Sequence, residues 1–160
     1  MGFMASRLMI VHFAATWYLV GLCWLVQRVQ YPLMQGVGSE HFAAYEAAHV
    51  ARIGPVVAPM MLLELATAVF LWRWGGVPYR RPGFVVAMGL LGVVWISTFL
   101  IQVPLHDVLR GGFDAEVHAR LVWTNWIRTL AWSARGLLLC GLMASMLSSA
   151  DSTRTGAVAS

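Results

Sequence analysis

Apolar residues run almost unbroken through four stretches of this chain, at about Leu8–Val26, Ile53–Trp72, Gly83–Val103 and Leu121–Leu147. Each is close to the roughly 20 residues that a helix needs to cross a bilayer, and none shows the alternation of a half-buried strand. The pattern predicts an all-α fold, an integral membrane four-helix bundle forming one domain over residues 1–147. The Ser/Thr/Ala-rich residues 148–160 read as a disordered tail. Between the first two spans, Gly36 and Gly38 break the apolar run, and Ser39 is placed to cap a short amphipathic helix ending near Arg52. Gly54 and Pro55 would then open the second span. On that short helix His41, Tyr45 and His49 recur every four residues, with Arg52 next on the same face and Phe42, Val50 and Ile53 largely opposite.

Composition agrees with the pattern, because 59% hydrophobic and 11% charged residues lie outside the range of soluble domains. The first apolar run is too long for a secretory signal, and no small-residue cleavage site follows it. A net charge of +4 would suit a nucleic-acid binder, but all 11 basic residues are arginines scattered along the chain without aromatic-basic motifs. They are better read as topology. The positive-inside rule puts Arg7, Arg73, Arg80, Arg81 and Arg154 with both termini in the cytoplasm, leaving Arg28, Arg52, Arg110 and Arg120 outside. Arginine-only basic usage with abundant Ala, Gly and Val points to a bacterial inner membrane. Trp72 and Trp74, and Trp123 and Trp126, suit the headgroup level. Cys23 and Cys140 fall at different depths, and no CxxC or CxxCH occurs, so neither a disulfide, a redox dithiol nor covalent haem is expected. No internal repeat of span pairs stands out, which weighs against alternating-access transport. The partners expected are the lipid bilayer and a small ligand; homo-oligomerisation stays open.

Chemistry is sought where charge enters hydrocarbon, since such groups are costly unless they face a partner or a cavity. Glu64 lies within the second span, and Arg128 and Arg135 within the fourth. Asn125, Arg128, Trp132 and Arg135 share one helical face, which His118 joins if the helix starts early; that face must look inward. At about 1.5 Å per residue, either arginine is within reach of Glu64, and His12 falls near the depth of Arg135. Gln102-Val103-Pro104-Leu105-His106-Asp107 closes the third span, with Pro104 expected to stop the helix and aim Gln102 and His106 at the headgroups. His41, His49, His106 and His118 all map to the outer side, but no spacing identifies a metal set. These residues outline a cavity in the outer half of the bundle for a small apolar or phenolic ligand. Its lining would be Gln102, His106, Asn125, Arg128 and the stripe His41, Tyr45, His49 and Arg52, with Glu64 and Arg135 as deeper polar contacts. Two other classes fit the same residues: a haem- or metal-binding redox subunit, and a non-catalytic accessory protein whose charges only fix helix packing.

The four-span layout, the Pro-containing QVPLHDVL at the end of the third span and the TNWIRT that opens the fourth, with Asn125 and Arg128, carry a resemblance. The chain resembles a family of small four-helix membrane proteins that includes the fungal anthrone oxygenases. The resemblance implies an oxygenase that converts an anthrone to a quinone with molecular oxygen, with no cofactor required. It implies His106 or His49 as base and Arg128 as the group holding the developing phenolate. Two features depart from the family: His106 stands where many relatives carry asparagine, and the histidine stripe has no counterpart there.

Overall fold

The computed structural model describes the backbone of residues 2–158 and the side chains of residues 4–148. The expected tail over 148–160 falls almost entirely outside the described side chains. Among the described residues the chain is helical throughout, apart from short turns. Helix α1, Gly2–Leu25, passes through a π-turn, Val26–Gln30, into α2, Tyr31–Met34. Helix α3 covers Ser39–Trp74. Helix α4, Pro82–Ser97, passes through a second π-turn, Thr98–Gln102, into α5, Val103–Leu109. Helix α6 covers Ala115–Val158.

Four helical segments are long and apolar enough to cross a membrane: Met4–Val37, Ser39–Trp74, Pro82–Leu109 and Ala115–Ser148. The exterior is apolar over their length, with Ile10, Leu62, Val86, Ile96, Leu100, Leu130 and Leu137 all exposed. That is the inverse of a water-soluble surface and what acyl chains require, so the chain is an integral membrane protein. With about 1.5 Å of rise per residue, each segment is roughly 40–55 Å long, longer than the ~30 Å hydrocarbon layer. The start of α1, the turn Val77–Arg80 and the part of α6 around Leu139 and Leu142 lie at one end of the bundle, here the proximal end. The turns around Gly38 and Gly112 lie at the other, the distal end; both glycines adopt positive φ, which lets the chain reverse there.

Three expectations from the sequence change. The amphipathic stretch after Ser39 is not a separate helix, because α3 continues through Gly54, Pro55 and Pro59 without a break. A proline inside a membrane helix removes one backbone bond but leaves no better alternative in lipid than to stay helical. Gly38, not Ser39, occupies the capping position, and no side chain caps this helix. Nor does Pro104 end the third span. Instead the turn before it widens, Val103 N–H bonding to Thr98 O, and the helix runs on to Leu109. Pro32 follows the first π-turn in the same way, after Tyr31 N–H bonds to Val26 O. Each proline lacks the N–H for its i−4 carbonyl and its ring crowds that carbonyl, which favours a wider turn. Gln30-Tyr31-Pro32-Leu33 and Gln102-Val103-Pro104-Leu105 thus form a short internal repeat, with the same local structure in the first and third spans.

The helices pack in the order α3, α1, α6, α4. Three apolar layers fill the interior. Met9, Leu71, Phe84 and Leu139 lie proximally, Leu19, Met61, Val94 and Trp132 centrally, and Tyr31, Phe42, Leu109 and Leu121 distally. Asp114 caps α6 through its carboxylate, which accepts from the N–H groups of Glu116 and Val117, both at 2.9 Å. This start brings His118 onto the inward face, in line with Asn125, Trp132 and Arg135, all buried.

Candidate functional site

Two polar layers cross the bundle, and the deeper one is closed upon itself. Glu64 Oε1 accepts from Arg135 Nε at 2.9 Å and from Thr16 Oγ1 at 2.6 Å, while Oε2 accepts from Trp132 Nε1 at 3.0 Å. The remaining guanidinium nitrogens reach the Ala87 carbonyl and, at 2.8 Å, His12 Nε2. Arginine only donates, so His12 Nε2 accepts and the ring carries its proton on Nδ1. That proton points at Thr67 Oγ1, 2.8 Å away, and Thr67 donates onward to the Leu63 carbonyl at 2.7 Å. His12, Thr16, Glu64 and Arg135 are all fully buried. Every span contributes a group, and each charged atom is matched. Of the two arginines within reach of Glu64, Arg135 takes it.

Arg128 is left facing a cavity of about 240 Å³ between this layer and the distal end. Its guanidinium lies over the Trp132 ring, 5.2 Å from the centroid, and NH1 donates to Asn125 Oδ1 at 3.3 Å. Asn125 is held by its neighbours, since its Nδ2 donates to Gln27 Oε1 at 2.9 Å and Gln27 Nε2 donates to the Val122 carbonyl at 3.1 Å. The chain of amides fixes which end of Asn125 meets the arginine. Arg128 makes no ion pair among the described residues, and its buried Nε has no hydrogen-bond partner there.

Gln102 adds an acceptor to the same cavity. Its Nε2 donates to Thr124 Oγ1 at 3.0 Å, whose own proton is committed to the Arg120 carbonyl at 2.6 Å, so the amide orientation is fixed. Gln102 Oε1 is consequently an acceptor, buried and without a partner.

At the distal rim, Glu46 Oε1 and His106 Nδ1 lie 2.5 Å apart, and His106 Nε2 is 3.0 Å from the Tyr31 hydroxyl. With Glu46 as carboxylate, Nδ1 carries the proton, and a neutral ring accepts from Tyr31 at Nε2. The carboxylate–imidazole–hydroxyl chain resembles, in roles alone, the way a carboxylate orients a histidine base. His118 steadies it from behind, because its Nε2 donates to the Tyr31 carbonyl at 3.0 Å. The His49 ring lies 5.6 Å from that of His106, centroid to centroid, and makes no hydrogen bond among the described residues.

The structure therefore gathers His49, Gln102, His106, Asn125 and Arg128 around one cavity, together with Tyr31, Cys23 and Trp132. Tyr45 and Arg52 line a second recess between α1 and α3, which shares His49 with the first; there Gln30 Nε2 donates to Tyr45 Oη at 2.6 Å. His41 is exposed and borders neither. Glu64 and Arg135 form the layer beneath the cavity. Cys23 and Cys140 are both free thiols.

Glu46, Tyr31 and Gln27 were not among the residues expected. A signal for Glu46 existed: it falls with Phe42, His49 and Ile53 on an i, i+4, i+7, i+11 face, a carboxylate set among residues that turn inward. Compared with protein-family models, curated proteins and solved structures, the chain matches none significantly.

Proposed function

We propose that this protein binds a small, mainly apolar molecule bearing one anionic or phenolic oxygen in the distal cavity, with Arg128 as its anchor. The observation that carries this reading is an arginine facing an apolar-walled cavity with its Nε unmatched and no carboxylate paired to it. A guanidinium in such surroundings gains most from a ligand that supplies the missing negative oxygen. Gln102 Oε1 complements it as an acceptor for a hydroxyl on the same molecule.

Head-group comparison tests this directly. In nanodiscs, a long-chain alkylphenol is expected to bind at least about 10-fold more tightly than its methyl ether, the worth of one charge-assisted hydrogen bond. Equal affinity of phenol and ether would remove the reading.

A second reading adds chemistry to binding, and the Glu46–His106–Tyr31 chain favours it. His49 would take the proton of a phenolic ligand, or His106 would take it through Tyr31, whose hydroxyl passes its own proton to His106 Nε2 as it receives the ligand's, while Arg128 holds the resulting phenolate. The anthrone oxygenase activity implied by resemblance is the case in which that anion then meets molecular oxygen. Oxygen uptake with a panel of anthrones and hydroquinones is expected to exceed background and to fall at least about 100-fold in His106→Ala, as for loss of a general base. Uptake at background across the panel would leave binding alone.

A further inference from the structure

We infer that the ligand enters this cavity sideways from the bilayer, between α3 and the third span, and is a membrane-dissolved amphiphile with an oxyanion or phenol head and a hydrocarbon body. The inference rests on the ligand-binding reading and adds a route and a substrate class to it.

The bundle is closed on one side and splayed on the other. α1 packs along α6, and their seam is stitched by Trp24 Nε1 to Ser133 Oγ at 3.0 Å, the Cys23–Thr129 contact at 3.3 Å, and the Gln27 bonds. The corresponding pair in the Gln-Xaa-Pro-Leu repeat, α3 with α4, shares no extended contact. Among the described residues no side-chain hydrogen bond joins them; α3 meets the third span proximally, where Trp72 stacks on Phe84 at 6.5 Å, and distally through α5, by the Glu46–His106 pair, with the gap between these two contacts.

Side chains that both line the cavity and reach the exterior mark where it opens. Apart from Arg110 at the distal rim, these are Ala58 on α3, Phe99 (55% exposed) and Val103 (40%). All three are apolar. Counted from the His49–His106 contact, Gly54 and Ala58 on α3 and Val103 and Phe99 opposite lie about 5–13 Å deeper, at 1.5 Å per residue. A mouth of that character at that depth faces acyl chains.

Local sequence keeps it open. A Cβ at Gly54 would meet nothing within 4 Å, and Ala58 presents only a methyl group, so α3 offers small side chains opposite Phe99. Pro55 and Pro59, inside the continuous α3, each withhold a backbone N–H beside the gap. Beyond the mouth lie polar groups, Gln102, Asn125 and Arg128, and apolar ones, Val57, Met61 and Leu19. A molecule arriving from the bilayer can thus place its head on Arg128 and leave its hydrocarbon body in the gap.

Photolabelling of the full-length protein in nanodiscs tests the route, with palmitate and a long-chain alkylphenol each carrying a diazirine on the chain. Saturable labelling of peptides containing Ala58, Phe99 or Val103 is expected with at least one probe. The initial labelling rate is expected to fall at least 10-fold in Ala58→Phe and Gly54→Leu and to rise in Phe99→Ala. That last variant trims an exposed side chain and guards against misfolding of the others. Arg110→Trp, at the distal rim, is expected to leave the rate unchanged. Saturable labelling that is slowed by Arg110→Trp and indifferent to Ala58→Phe and Phe99→Ala would overturn lateral entry and leave the ligand site standing. No saturable labelling by either probe, together with equal affinity for phenol and ether, would overturn the ligand site and the route with it.

Discussion

Glu64→Gln lowers the stability of the folded bundle by about 3–5 kcal/mol, the usual cost of removing one partner from a buried ion pair. Arg135 is fully buried and cannot swing to water, so the loss of Glu64 leaves a guanidinium uncompensated among apolar side chains. The damage spreads, because Thr16 and Trp132 also donate to the lost carboxylate and His12 is held by Arg135. Equilibrium unfolding by SDS in mixed micelles measures it. Adding Arg135→Gln to Glu64→Gln is expected to cost less than the sum of the two single changes, with a coupling energy of about 1–3 kcal/mol. Adding Arg128→Gln to Glu64→Gln is expected to show a smaller coupling than Arg135→Gln does, since Arg128 makes no bond to Glu64 and shares with it only Trp132. Coupling to Arg128 and not to Arg135 would mean that the layer is paired differently.

Arg128→Gln has the opposite profile. Binding of an alkylphenol or fatty acid is expected to weaken by about 10- to 100-fold, the worth of one or two hydrogen bonds to a charged group. Stability is expected to change by less than ~1 kcal/mol, because within the protein this guanidinium makes a single 3.3 Å bond to Asn125 and a contact with the Trp132 ring. Isothermal titration in nanodiscs alongside the SDS unfolding separates the two quantities. Arg128→Lys is expected to recover only part of the affinity, since an ammonium keeps the charge but not the planar fork. A variant that unfolds as readily as Glu64→Gln and binds as wild type would make Arg128 a packing residue.

The four spans and the inward face of α6 were legible because apolar run length and 3.6-residue spacing are local properties. His118, Asn125, Arg128, Trp132 and Arg135 could be placed on one face without knowing what they meet. The partner of Glu64 could not, because depth along an axis leaves rotation about it undetermined, and both arginines lay within reach. Tyr31 was hidden for a different reason: the π-turn at Val26–Gln30 adds a residue to one turn and shifts the face on which Tyr31 emerges. Glu46 drew no attention because it lies outside the second apolar run, but α3 is longer than that run and carries it, fully buried, into the rim. The repeat Gln-Xaa-Pro-Leu was in the sequence throughout; a match of three residues in four acquires weight only when both copies follow the same widened turn.

The cross-bundle layer of Glu64, Arg135 and His12 also fixes what the cavity is not. Trp132 forms part of the cavity wall while its indole nitrogen is committed to Glu64, so the recess ends on a sealed floor. A chamber with a floor is a cul-de-sac, not a pore. A molecule held on Arg128, as proposed, would have to leave on the distal side of this layer, the side by which it entered, since the Glu64–Arg135 pair closes the way beneath it.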